Sequence, residues 1–228
     1  MRTCPRIILM VGVASLFLAL GESASFAQRP YYNRGYGPQP AYAPAAYGWN
    51  HQHDGFYLRA YAGLGYFSAS ETYDGATDTY SGVGATYGAA FGGTIARNLI
   101  LYGELLGTTV TNATLSYGGG TPDYSGVDLT MFGIGPGVAY YVEPINLYLS
   151  GTLTFTQISF SDTNTAQPLD STNLGVGLSF MVGKEWWVSP DWGIGIAGQV
   201  HIASMEDPTV RARMRASAIS VLFSATYN

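Results

Sequence analysis

The residues best equipped for chemistry lie between positions 201 and 207, where His201, Ser204, Glu206 and Asp207 supply the side-chain types of a serine hydrolase. Such a site needs the imidazole within hydrogen-bond reach of the hydroxyl. The segment reads as an extended strand, whose successive side chains point to opposite faces, so His201 and Ser204, three apart, are expected on opposite sides. His51, His53 and Asp54 form a second group with metal-ligand chemistry. They offer only three donors, in a stretch rich in Pro, Tyr and Gly that would have to be ordered to hold an ion, and they are expected to be a solvated rim. Gly133, Gly135 and Gly137 have some of the spacing of a phosphate cradle, but a cradle sits between a strand and a helix and these glycines fall within a strand. Cys4 is the chain's one cysteine and lies in a segment expected to be removed, which leaves no thiol for disulfides, metal or catalysis. No cofactor is implied.

The elements that would position these residues begin at Gly55. From there the chain falls into eight segments of alternating small-polar and apolar residues, at about 55–67, 82–95, 99–111, 127–141, 145–159, 172–188, 192–204 and 216–228. In the clearest pair, Leu174, Val176, Leu178, Phe180 and Val182 share one face, as do Ile194, Ile196, Val200 and Ile202 after a Ser-Pro-Asp turn at 189–191. The opposite face reads Gly175, Gly177, Ser179, Gly183, then Gly193, Gly195, Ala197, Gln199. A soluble barrel would place large apolar residues inside; here that face is expected to meet lipid. Short connections near 96–98, 142–144 (Val142, Glu143, Pro144) and 189–191 alternate with long polar ones near 68–81, 112–126, 160–171 and 205–215. Past the first residues no run approaches the 18 apolar residues of a helical span, and a closed sheet is the other backbone solution in lipid.

Three charges fall on the small-polar face: Arg59, Glu104 and Glu185. An ionised group in a narrow interior needs a partner, so an internal network is expected, with Arg59 paired to Glu104 and Glu185 as a third member. Two strands apart means backbones roughly 10 Å apart, a gap that a long Arg and a Glu can close. Eight strands leave room mainly for side chains, so the network reads as a plug; a gated ion path is the alternative. Lys184 lies on the other face beside Trp186, placed to snorkel to headgroups.

Arg2 and Arg6 precede an apolar run from Ile7 to Leu20, and Ser25-Phe26-Ala27 supplies the small residues a signal peptidase accepts. Residues 1–27 are therefore expected to be a secretory signal. Its loss takes away Arg2, Arg6 and Glu22 and moves the net charge from −5 to −6. No basic patch speaks for nucleic acid. Residues 28–54 lack any period and read as a disordered, partly polyproline periplasmic linker with contact to peptidoglycan or a protein as its expected use. Charged residues at 11%, with 30 Gly and 18 Tyr, suit packed strands with aromatic girdles.

In strand count, face alternation, loop asymmetry and a final strand, AISVLFSATYN, alternating up to a penultimate aromatic, residues 55–228 resemble the small eight-stranded outer-membrane barrels of the OmpA/OmpX type. The resemblance implies an all-β, eight-stranded antiparallel up-and-down transmembrane barrel of the Gram-negative envelope, porin-like in build. Its partners would be outer-membrane lipid and lipopolysaccharide, the barrel-assembly machinery and an extracellular ligand held by the loops. A monomer with both termini in the periplasm is expected. The resemblance is specific for architecture and unspecific for activity. Lipid A deacylases and palmitoyltransferases are similar in size, but the deacylase pattern sets His and Ser two apart and here they are three apart. The expected role is non-catalytic, in envelope structure or surface interaction; a small pore is the alternative, and a lipid-modifying enzyme follows behind it.

Overall fold

A computed structural model describes residues 55–118, 124–143, 145–209 and 211–228. The expected signal at 1–27 with Cys4, the linker at 28–54 with His51, His53 and Asp54, and the turn residue Pro144 lie outside the described residues. The strands are β1 (Phe56–Tyr73), β2 (Ala76–Ala96), β3 (Leu99–Ser116), β4 (Tyr124–Val142), β5 (Leu147–Asp162), β6 (Pro168–Ser171), β7 (Gly175–Trp187), β8 (Trp192–Asp207) and β9 (Ala212–Tyr227). Eight of them close an antiparallel ring in the order β1-β2-β3-β4-β5-β7-β8-β9, with β9 pairing back onto β1 and the four-residue β6 attached to β5 alone. The chain is thus an all-β, up-and-down barrel of eight strands, as the alternating segments implied.

Alternation sorts the side chains as the sequence reading expected. Leu178, Ile196 and Phe223 face outward, the last 71% exposed, while Ser179, Ala197 and Leu222 face inward and are buried. The outward face carries a belt of Leu, Ile, Val and Phe on every strand of the ring, and a surface that apolar is stable only against hydrocarbon.

The long polar connections turn out to be mostly strand. What was expected as a loop at 68–81 is a tight hairpin with Asp74 and Gly75 in the left-handed region, φ 49° and 81°, an Asp-Gly turn that matches the twist of the strands it joins. The connection expected at 205–215 shrinks to the residues between Asp207 and Ala212. The length of the strands accounts for this. The 18 residues of β1 rise about 3.3 Å each at a tilt near 40°, roughly 45 Å in all, whereas the apolar band of such barrels is about 25 Å tall. The wall therefore continues past the belt as polar hairpins, which a reading keyed to apolar alternation takes for loops. At the other rim the turns stay short, with Asn98 and Asn146 at φ 61° and 50°.

The interior is filled in two layers. Nearer the short turns, Tyr57, Tyr61, Tyr102, Tyr141, Tyr148 and Ile100 pack together; nearer the hairpins, Phe67, Leu129, Met131, Ile158, Met205 and Met214 do. The glycines of the inner face make room for these rings. A Cβ at Gly183 would fall 2.5 Å from the Tyr148 ring, and one at Gly137 equally close to that of Tyr102, so side chains from one strand occupy the space that another strand's glycine leaves. The expectation of a small-residue interior was incomplete. Large tyrosines lie inside because the small residues are there to receive them.

Leu178→Arg or Ile196→Arg places a charge against lipid and is expected to lower unfolding stability in a bilayer by about 2–4 kcal/mol. Ser179→Ala, which removes one acceptor from the Gln199 amide, should cost about 1 kcal/mol. Urea titration of the three variants in lipid vesicles gives the comparison; Arg variants as stable as the parent would mean that Leu178 and Ile196 do not meet lipid.

Candidate functional site

Arg59, second inward position of the chain's first strand counted from its start, enters a wholly buried space near the short-turn end. Its Nη2 lies 3.3 Å from Glu185 Oε1 and donates to the Tyr141 hydroxyl at 2.7 Å. Its Nε donates to Thr226 Oγ1 at 3.4 Å. Tyr141 passes a hydrogen bond on to Glu185 Oε2 at 3.1 Å, and Thr226 does the same to Oε1 at 2.6 Å. The guanidinium also stacks over the Tyr148 ring, 3.7 Å from its centroid. The pair is thus closed on itself through two hydroxyls, each of which accepts from the cation and donates to the anion.

Glu104 is not part of this pair, contrary to expectation. Its Oε1 accepts from the Tyr61 hydroxyl at 2.8 Å and its Oε2 from Thr152 at 2.5 Å, with Tyr102 bonded to Thr152 at 2.9 Å behind it. The reason is tilt. Arg59 is level with Ala90, and Ala90 with Glu104, along the hydrogen-bonding direction. In a barrel that direction is inclined to the axis, so two strands over, Glu104 has climbed by about one inward position and meets Tyr61 rather than Arg59. Going the other way around the ring, Trp187 is level with Arg59 through Gly193 and Thr226, and Glu185 lies two residues further in, which cancels the opposite displacement. Glu185, expected as a third member, is the partner.

The middle of the barrel holds hydroxyls. Thr86 bonds Ser220 at 2.8 Å and Thr108 at 3.2 Å, and Gln199 donates to Ser179 at 3.0 Å. His201 is buried here, with Nε2 3.1 Å from Thr154 Oγ1. Ser204 and Glu206 stand on the outer face, exposed, so the wall of the barrel separates the imidazole from the hydroxyl and no hydrolytic triad is assembled. Above this layer the methionines and Phe67 fill the bore. Gly133, Gly135 and Gly137 lie within β4, as expected, in a setting that cannot wrap a phosphate.

The partners Tyr141, Thr226, Tyr148, Tyr61 and Thr152 were not singled out in the sequence. Parity was the available signal for Tyr141: its neighbour Tyr140 is outward by alternation, which places Tyr141 inside. No parity argument tells which inward residue meets which across the bore.

No family model matches the sequence, and no curated protein matches it. Among solved structures the chain is similar to Neisserial surface protein A at 13% identity over 75% of this chain and 96% of that one, with a TM-score of 0.47. It is similar to the outer membrane protein OprG from Pseudomonas aeruginosa at 13% identity over 79% and 99%, TM-score 0.44. The outer membrane protein AlkL aligns at 11% identity over 86% and 95%, TM-score 0.42.

The geometry sets up a double-mutant cycle with a direction. Arg59→Met or Glu185→Gln alone strands a buried charge and should cost about 3–5 kcal/mol, and the double variant should cost clearly less than the sum. Arg59→Met with Glu104→Gln should be additive to within about 0.5 kcal/mol. Urea unfolding in detergent of the parent, the single variants Arg59→Met, Glu185→Gln and Glu104→Gln, and the two double variants measures both; a coupling larger for Glu104 than for Glu185 would overturn the assignment.

Proposed function

We propose that this protein is an outer-membrane barrel with a non-catalytic role in envelope structure or surface interaction, presenting its polar hairpins outward and keeping both termini in the periplasm. The observation that carries the reading is the filled bore. An ion path needs a continuous lining of water, and here the short-turn half is occupied by the Arg59–Glu185 pair with its tyrosines and the hairpin half by a plug of Phe67, Leu129, Met131, Ile158, Met205 and Met214. Separation of His201 from Ser204 by the barrel wall supports a non-catalytic role for that group.

The membrane level is supported by the short-turn rim. Trp192 packs edge-on against Tyr227 at 5.4 Å, Phe56 lies 6.4 Å from Tyr227, and Lys184 sits 5.7 Å from the Trp186 ring, an aromatic girdle with a snorkelling amine. Arg97 and Glu143 pair at 3.1 Å on the same rim. The polar hairpins at the other rim are the surface such a protein would offer to lipopolysaccharide or to another cell.

Two measurements test the reading. Membrane fractions should retain the protein in the outer membrane in a form whose gel mobility shifts on boiling, with tags inserted at Gly75 labelled on intact cells. Purified protein in planar bilayers should give no stepwise conductance. Regular channel events would replace this reading with the pore, and tags labelled only after the outer membrane is opened would invert the orientation.

A further inference from the structure

Six cations follow residue 54, and half of them sit in one place. Arg59 is paired with Glu185, Arg97 with Glu143, and Lys184 Nζ donates to the Ile145 carbonyl. Arg211, Arg213 and Arg215 are different. They occupy alternate positions entering and opening β9, all three exposed on the outer wall, and among the described residues no carboxylate lies within ion-pair distance of any of them. At about 3.4 Å per residue the three guanidinium stems rise over roughly 14 Å of wall. Like charges in a row repel, and the carboxylate set opposite them in register, Glu206 across from Arg213, forms no ion pair with them among the described residues.

The wall around them is hollowed. Arg215 is level with Ser70 on β1 and Ser204 on β8, and Ser217 with Ser68, so four small hydroxyl residues surround one arginine on the outer face. Two adjoining depressions of about 520 and 550 Å³ follow, sharing Val176 and Ser204 and reaching Arg215 in one case and Arg211 and Arg213 in the other. On the side toward the apolar belt the hollow is walled by Leu178 and Ile202. Glu206 stands opposite Arg213 in register without pairing to it, which leaves Arg215 facing hydroxyls alone.

We infer that this stripe is a docking surface for the phosphorylated head of lipid A, with acyl chains lying against Leu178, Ile202 and the belt below. Guanidinium groups bind phosphate oxygens in a fork, and the serines supply further donors. The extent of the stripe favours this lipid over a phospholipid. A glucosamine disaccharide with a phosphate at each end can engage guanidiniums a nanometre apart, whereas a phospholipid head offers one phosphate beside the bilayer. Position agrees: the stripe begins where the belt of β9, Ile219, Val221 and Phe223, gives way to polar wall. The inference rests on the outward orientation proposed above, which places lipopolysaccharide at this level.

The test uses the full protein folded in detergent micelles, titrated separately with bisphosphorylated lipid A, dephosphorylated lipid A and phosphatidylglycerol, with binding followed by the shift in thermal unfolding. Bisphosphorylated lipid A should bind at least tenfold tighter than either of the others. Arg213→Gln with Arg215→Gln should remove that preference, and Arg97→Gln, at the opposite rim, should leave it intact. Equal binding of the dephosphorylated lipid, or equal binding of phosphatidylglycerol, overturns the assignment on the unaltered protein, whether or not the double variant folds. So does a folded double variant that binds as the parent does. Because this measurement needs no membrane orientation, its failure beside surface-labelled hairpins would sink the lipid site alone, while hairpins labelled only after the outer membrane is opened would sink the orientation and with it lipid A as the occupant in the cell, whatever the micelle titration shows.

Discussion

In hydrocarbon an unpaired backbone amide has no water to turn to, and every other feature of this barrel follows from meeting that condition. The last strand must find the first, and it does, from Leu58 opposite Tyr227 to Glu71 opposite Met214. Closing eight strands into a ring sets their tilt, and the tilt decides which side chains share a level in the bore. Arg59 meets Glu185 and Tyr61 meets Glu104 for that one geometric reason. A flatter sheet would have exchanged the partners.

Closure also sets a fixed interior volume, and the chain fills it by complementing strands rather than by choosing medium-sized residues throughout. Tyrosines on one strand lie over glycines on another, and the hydroxyls they bring inside satisfy the two carboxylates that burial would otherwise leave exposed to a low-dielectric surround. The Arg59–Glu185 pair is held there by Tyr141 and Thr226, each of which accepts from the guanidinium and donates to the carboxylate. Beyond it the bore turns apolar. That division, polar toward the short turns and apolar toward the hairpins, closes both halves by different means.

The outer wall is patterned by the same alternation, and its departures from an apolar belt are informative. Lys184, beside Trp186, marks the short-turn rim, and the serines flanking Arg215 mark the hairpin rim. Between them the belt is continuous. The wall above it extends as paired strand, so hairpins such as that at Asp74 and Gly75 are held as rigid extensions of the barrel rather than as free loops.

Period-two alternation by itself determined that this chain is a sheet, how many strands cross, and which face of each meets lipid, because each of those depends only on neighbours along the chain. It also placed Arg59, Glu104 and Glu185 inside and put His201 and Ser204 on opposite faces. Strand ends on the hairpin side were not legible, since polar residues pair into strands above the membrane as readily as they form loops. Nor was the pairing in the bore: which inward residue meets which is a matter of tilt and closure, set by the whole ring, and no local pattern around Arg59 distinguishes Glu185 from Glu104. The hollow at Arg215 belongs to tertiary structure for the same reason. Ser70 is far along the chain from Ser204 and Arg215, and the three become neighbours only when β1 is hydrogen-bonded beside the β8–β9 hairpin.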